Sequence, residues 1–260
     1  MSVKGIDVSS YQGTVDWRRA AAAGVEFAVL KVIRKDLSPD RQFENNWTGA
    51  AAAGVPVQGV YNYSYASTVG KAKSDAEAVL GILAGRTPMV WLDVEDSVMK
   101  GLGQKLEKII NAYGEVITAA GCKFGVYTGL SFYNSYMKPY ADQISCPFWI
   151  ARYPGSASMS ITADPAESRR PKIAHELYGW QYSARGRVPG VNGNVDLDEF
   201  YAAIETGKAA SAAVTYRVRS GDTLSEIAKK YDTTVGAIMA LNSSITDANR
   251  IYANQVIRVK

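Results

Sequence analysis

Four acids are the residues of this chain best suited to chemistry. Asp93 and Glu95 stand two apart in MVWLDVED, Asp7 ends the first strand in GIDVSS, and Asp196 opens the last in GNVDLDEF. In an extended strand, alternation puts Trp91, Asp93 and Glu95 on one face and Leu92 and Val94 on the other. Two strand steps separate the Asp93 and Glu95 Cα atoms by roughly 6.6 Å. Like charges held together raise at least one pKa. A carboxylic acid that keeps its proton near neutral pH can serve as a general acid. These motifs carry no evident cationic partner for the acids. Helix capping and divalent-cation binding are the alternative uses of such a cluster.

Aromatic and amide side chains share the same strand ends. They are Tyr61 and Tyr63 in VYNYSY, Tyr127 in VYTG, Trp149 in FWIARY, and Gln181 between Trp180 and Tyr182. Flat rings with hydrogen-bonding tips suit sugar faces, and core packing is their alternative use. His175 is the single histidine of the chain and lies in a charged stretch, KIAHE, so a zinc site or a Ser-His triad has little to build on. Cys122 and Cys146, 24 positions apart, match no metal spacing and read as two buried thiols or one disulfide. No metal or other cofactor is expected.

A repeated unit positions these residues. Helical stretches end in small residues and a glycine, then a short link leads to an apolar strand. The unit recurs as Ala22-Ala23-Gly24 before FAVLKV, Ala52-Ala53-Gly54 before VQGVYNY, Leu83-Ala84-Gly85 before MVWLDV and Ala119-Ala120-Gly121 before FGVYTG. The glycines lie 30, 31 and 36 residues apart, the period of a strand–helix unit in a parallel sheet with right-handed crossovers. Eight strand-like runs, near Ile6, Val29, Val60, Leu92, Val126, Trp149, Trp180 and Leu197, fit an α/β fold of the (β/α)8-barrel type. Helical signals fade after about Tyr136, which predicts an irregular barrel. First and last strands are neighbours in a closed barrel, so Asp7 and Asp196 should meet Asp93 and Glu95 at one mouth.

The chain is expected to divide into a barrel over residues 1–206, a linker over 207–215 and a small module over 216–260. Net charge is +4, with +3 of it between Tyr216 and Lys260 (7 basic against 4 acidic residues). That is too little to predict nucleic-acid binding. No apolar run is long enough to span a membrane, so membrane insertion is not expected. MSVKGIDVSS lacks the apolar core of a secretory signal. The expectation is synthesis in the cytoplasm and action after release.

With these motifs in hand, the chain resembles glycoside hydrolase family 25, the muramidases of fungal and phage-lysin type. DVSSYQGTVDW, WLDVED, GVYTG, FWIARY, WQYS and GNVDLDEF carry the resemblance, in order, across about residues 1–205. It implies an irregular, flattened β/α barrel and hydrolysis of the β-1,4 bond between N-acetylmuramic acid and N-acetylglucosamine in bacterial cell-wall peptidoglycan. By position, Glu95 would be the general acid/base and Asp93 would stabilise the reacting N-acetyl group or the oxocarbenium-like transition state. Asp7 and Asp196 would complete the catalytic set. Tyr61, Tyr63, Tyr127, Trp149, Gln181 and Asp198 would bind substrate. The family's last motif usually reads VDLN; VDLDEF adds Asp198 on the face of Asp196, leaving open which of the two is functional. Retention of anomeric configuration is expected, with the substrate's 2-acetamido group or a carboxylate as nucleophile.

Residues 216–259 resemble a LysM module, a βααβ unit that binds N-acetylglucosamine-containing glycans. Asp222 or Thr223 can cap its first helix, whose Leu224, Ile227, Ala228 and Tyr231 share one face. Gly221, Asp222, Thr223, Leu224, Ile251 and Tyr252 are its candidate glycan contacts. A phage endolysin released by a holin pore and a bacterial autolysin both fit this organisation. A chitinase or endo-N-acetylglucosaminidase is the rival enzyme, although its D-x-x-D-x-D-x-E run is absent. A non-catalytic wall-binding protein is the rival from another class. The oligomeric state stays open.

Overall fold

The computed structural model describes residues 2–201, 215–219, 221–231, 233–242, 245, 247–252 and 255–259. The expected linker lies outside the described residues apart from Thr215. The chain forms two compact units, residues 1–206 and 207–260.

The first unit is a closed eight-stranded barrel. Strands β1 (Val3–Val8), β2 (Phe27–Lys31), β3 (Val57–Tyr63), β4 (Met89–Asp93), β5 (Lys123–Gly129) and β6 (Phe148–Ala151) pair in parallel, each with the next. A two-residue strand, β7 (Met159–Ser160), pairs with the end of β8 (Leu177–Arg187), which joins β6 in parallel; β9 (Val195–Phe200) closes the ring between β8 and β1. Here the fold departs from an all-parallel sheet, because β9 runs antiparallel to both neighbours. The reversal follows from the short Val188–Asn194 connection, which holds no helix to carry the chain back across the barrel. It also places Asp196, at the start of β9, directly beside Asp7, near the end of β1.

Helices follow the first four strands: α1 (Trp17–Ala22), α2 (Phe43–Ala52), α3 (Val69–Leu83) and α4 (Lys105–Ala119). Asp16 and Thr68 cap α1 and α3 through their side chains. The repeat glycines 24, 54, 85 and 121 all take positive φ, between 75° and 104°. After β5 only a helical turn, α5 (Leu130–Phe132), and short irregular helices follow, so the barrel is irregular where the helical signal fades.

Strand alternation sorts two cores. Val90, Leu92, Val126 and Ile150 face the helices in one cluster. Phe27, Val29, Met89, Trp91, Tyr127, Trp149 and Phe200 plug the barrel interior. Trp91, Trp149, Tyr178 and Phe200 meet there at centroid distances of 5.4–5.9 Å, mostly edge to face. Cys122 is buried, Cys146 is half-buried, and both are free thiols.

The second unit pairs β10 (Thr215–Arg217) antiparallel with β11 (Val256–Arg258) and holds α6 (Leu224–Lys230) and α7 (Val235–Ala240) between them in sequence. Thr223 caps α6 in a reciprocal box with Glu226. Asp222 instead accepts the Tyr216 hydroxyl at 2.7 Å and the Arg219 amide at 2.8 Å. Asn242 ties the end of α7 to β11 through the carbonyls of Ile238 and Arg258, both at 2.7 Å. Val218, Leu224, Ile227, Ile238 and Ile257 form its core.

The barrel plug leaves no room for extra volume. A Cβ on Gly179 would lie 2.4 Å from Phe200 Cδ1 and 3.1 Å from Trp149 Cδ1. Gly179→Ala is therefore expected to destabilise the barrel by about 1–3 kcal/mol. All five tryptophans belong to the barrel unit, so their fluorescence in urea isolates its midpoint; an unchanged midpoint would contradict the tight plug.

Candidate active site

The parallel strands end at one mouth, and register lines up what they present there. Tyr63, Asp93, Tyr127 and Trp149 are consecutive partners across β3 to β6. Asp7 faces Asp196 across β1 and β9. A cavity of about 280 Å³ opens among them, and all four catalytic candidates line it: Asp7, Asp93, Glu95 and Asp196. Tyr61, Tyr63, Tyr127, Trp149 and Gln181 line it too.

Glu95 lies just beyond β4, on a segment pinned from both sides. Val94 donates its N–H to Tyr127 O at 2.9 Å, and its own carbonyl accepts Thr128 Oγ1 at 2.6 Å. Asp96 caps the next turn through Val98 N at 2.9 Å and accepts the Tyr63 hydroxyl at 3.2 Å. The carboxyl between these anchors is held at the rim. After Asp7, the turn is locked by a capping box between Ser9 and Gln12, and by Ser10, which donates its backbone N–H and hydroxyl to buried Asp40.

Gln181 is the hub of the floor. Its Oε1 accepts the hydroxyls of Tyr127 (2.8 Å) and Tyr153 (2.6 Å), and its Nε2 donates to Asp7 Oδ2 at 2.7 Å.

The electrostatics follow from burial. Desolvation lifts Asp7 and Asp93 well above the usual carboxylate range, reinforced by Asp196 at Asp7 and by Glu95 at Asp93. Asp93 Oδ1 has no hydrogen-bond partner among the described residues, so no donor there stabilises its anion. Asp196 is pushed up to about 6, by burial first and Glu95 second. Glu95 is raised by burial and by Asp96. Acids that hold protons above their ordinary range can donate one near neutral pH.

Several sequence expectations need correction. Asp198 is fully buried and is not among the residues that line the cavity; its Oδ1 accepts Trp149 Nε1 at 3.0 Å. The acids do have a cation: Lys31, at the end of β2, lines the cavity and opposes the upward shift of Asp93. Tyr153 was also missed. Alternation offered both, since Lys31 follows inward Phe27 and Val29, and Tyr153 follows Trp149 and Ala151. In the second unit Leu224 is buried in the core rather than at the surface. Ile251 packs partly on that core, and Tyr252 is 67% exposed. Gly221 and Thr223 are exposed, while Asp222 is engaged by Tyr216 and Arg219.

A family model described as glycosyl hydrolases family 25 matches residues 6–191. The chain belongs to that family. This family 25 chain is accordingly a glycoside hydrolase, and a LysM domain model matches its residues 216–260. It is 29% identical over 208 residues to the autolytic lysozyme of Clostridium acetobutylicum, covering 79% of this chain and 58% of that protein's length. Over 54 residues it is 46% identical to the endolysin of Bacillus phage B103, 21% of this chain and 20% of that one. Among solved structures, the bacterial lysozyme from Streptomyces coelicolor superposes with a TM-score of 0.58 at 27% identity, covering 78% of this chain and 93% of that one.

The raised Asp196 fixes a sign. Its folded pKa, about 6, exceeds its ordinary 3.8, so the folded state binds the extra proton and loses stability as pH rises from about 4 to about 6. Asp196→Asn lacks this loss, so its urea midpoint should gain on wild type across that window. A difference that is flat with pH would refute the buried-acid arrangement.

Proposed function

We propose that the chain is an N-acetylmuramidase, hydrolysing the β-1,4 bond between N-acetylmuramic acid and N-acetylglucosamine in peptidoglycan. The observation that carries it is the family 25 barrel with Asp93 and Glu95 in one aromatic-lined cavity. The lysozymes it resembles support the same substrate.

In this proposal Glu95, at the rim and raised by burial and Asp96, donates a proton to the leaving glycosidic oxygen and then activates water as a base. Asp93 is costly to ionise in the free site and gains most when positive charge develops beside it. That is a preference for the transition state over the ground state. It serves the reacting N-acetyl group, with configuration retained. Asp7 and Asp196 complete the acidic cluster, and Lys31 limits its net charge. Tyr61, Tyr63, Tyr127, Trp149 and Tyr153 supply ring faces and hydroxyls to the sugars. Residues 1–206 are the catalytic part, residues 207–215 a linker, and residues 216–260 a weak wall anchor that raises local substrate concentration. Tyr252 and the turn at Gly221–Thr223 are its glycan contacts. Release as an endolysin from a host cytoplasm belongs to the same proposal, supported by the local identity to a phage endolysin.

Wild type and Glu95→Gln are compared on Gram-positive walls, with products reduced by borohydride and identified by mass spectrometry. Reduced N-acetylmuramic acid is expected from wild type, with the variant slower by about 10²–10⁴-fold. Reduced N-acetylglucosamine would instead identify a glucosaminidase, and no new ends would favour a binding protein.

Two further outcomes are expected. Tyr252→Ala should pellet less with walls while cleaving soluble fragments at the wild-type rate; equal pelleting would remove Tyr252 from the contact. Bacteria making the protein inside should lyse only when a membrane pore opens, and lysis without one would argue against endolysin release.

A further inference from the structure

Below the cavity floor lies a carboxyl that the proposed hydrolysis does not use. Asp198 is completely buried and shares the inward face of β9 with Asp196. It stands opposite Gly5 on β1 and Gln181 on β8. Its Oδ1 accepts Trp149 Nε1 from β6 at 3.0 Å. Its Oδ2 receives no donor among the described residues, and the β1–β9 register sets Asp198 diagonally across from Asp7 on the same inward face, within side-chain reach.

Asp7 from β1, Asp196 from its own strand and Gln181 from β8 share the face of this carboxyl, and Tyr182, on the outer face of β8, is the further titratable group that its charge reaches. None of them is a cation, and Lys31 lines the cavity above. Two ionised carboxylates cannot share such a contact, because their repulsion acts where water does not screen it. A carboxylic acid donating to a carboxylate satisfies both, and such charge-assisted bonds are strong. Asp7 already accepts Gln181 Nε2 at 2.7 Å, which favours the anion on Asp7. Asp198 lies below the cavity that Asp7 lines, away from solvent, so the shared proton is assigned to it.

We propose that Asp198 is a positioning residue that works as a neutral acid: it donates its proton to Asp7 and, with Gln181, fixes that carboxylate toward the cavity. A continuous set of bonds then runs from Trp149 through Asp198 to Asp7, and from Asp7 through Gln181 to Tyr127 and Tyr153. Loss of the Asp198 proton at alkaline pH would make the pair dianionic and dislodge Asp7. The catalytic consequence rests on the muramidase proposal; the protonation of Asp198 does not.

The test uses the full chain with Asp198→Asn and Asp198→Ala. Asparagine can donate to Asp7 through Nδ2 while Oδ1 still accepts from Trp149. Asp198→Asn is expected to keep kcat within about threefold of wild type, with the alkaline limb of its pH profile moved to higher pH. Asp198→Ala, folded by near-ultraviolet circular dichroism, should lose at least about tenfold in kcat with little change in KM. Independently of activity, the infrared carbonyl band of a protonated carboxyl at pH 7 should diminish in Asp198→Asn. That variant should also gain stability on wild type as pH rises above about 4, since wild type alone must keep a buried proton.

Three results overturn the proposal: an Asp198→Asn enzyme as slow as Asp198→Ala, an Asp198→Ala enzyme as fast as wild type, or an unchanged carbonyl band. If no wall is cleaved by any form, the band and the stability difference still decide the protonation state. The muramidase proposal then falls alone.

Discussion

A carboxylate loses several kcal/mol of solvation when it is buried without compensation, and the mouth of this barrel gathers Asp7, Asp93, Glu95 and Asp196 above buried Asp198. Lys31 is the cation lining the same cavity. Burial therefore favours the protonated forms of these acids, and Lys31 offsets part of the effect at Asp93. The acids sit above their ordinary range because burial comes first among the causes for each of them. The proposed general-acid step near neutral pH draws on this upward shift.

Holding such a cluster together requires a rigid frame. The aromatic plug of Trp91, Trp149, Tyr178 and Phe200 fills the barrel beneath the acids and leaves no space for them to sink into. Backbone bonds from β5 pin the segment carrying Glu95, and Gln181 clamps Asp7 from β8. The outer apolar faces of the same strands pack on helices, so each strand serves two cores at once. The stabilisation lies in these apolar layers, and the acids draw on it.

Much of this was legible along the chain. Period-two alternation in MVWLDVED separated an inner Trp91 and Asp93 from an outer Leu92, and the structure keeps that division. The glycines of the repeat marked where helices end. Alternation read from Phe27 and from Trp149 would also have reached Lys31 and Tyr153, had it been continued to the ends of β2 and β6. The direction of β9 was not legible, because a strand's own pattern is the same in either sense.

By itself, then, the sequence determined the barrel, its eight strands and the acids that close on its mouth, because hydrophobic period and strand-end position are local properties. Only the tertiary structure set Asp196 on the cavity wall and Asp198 beneath it. Both lie on one face of β9, but one step of two residues separates the cavity wall from the buried floor. Depth within a closed barrel depends on the shear of all its strands, and no single segment records it. The same holds for Gln181, whose role comes from meeting Asp7, Tyr127 and Tyr153 across distances of 28 to 174 positions in the chain.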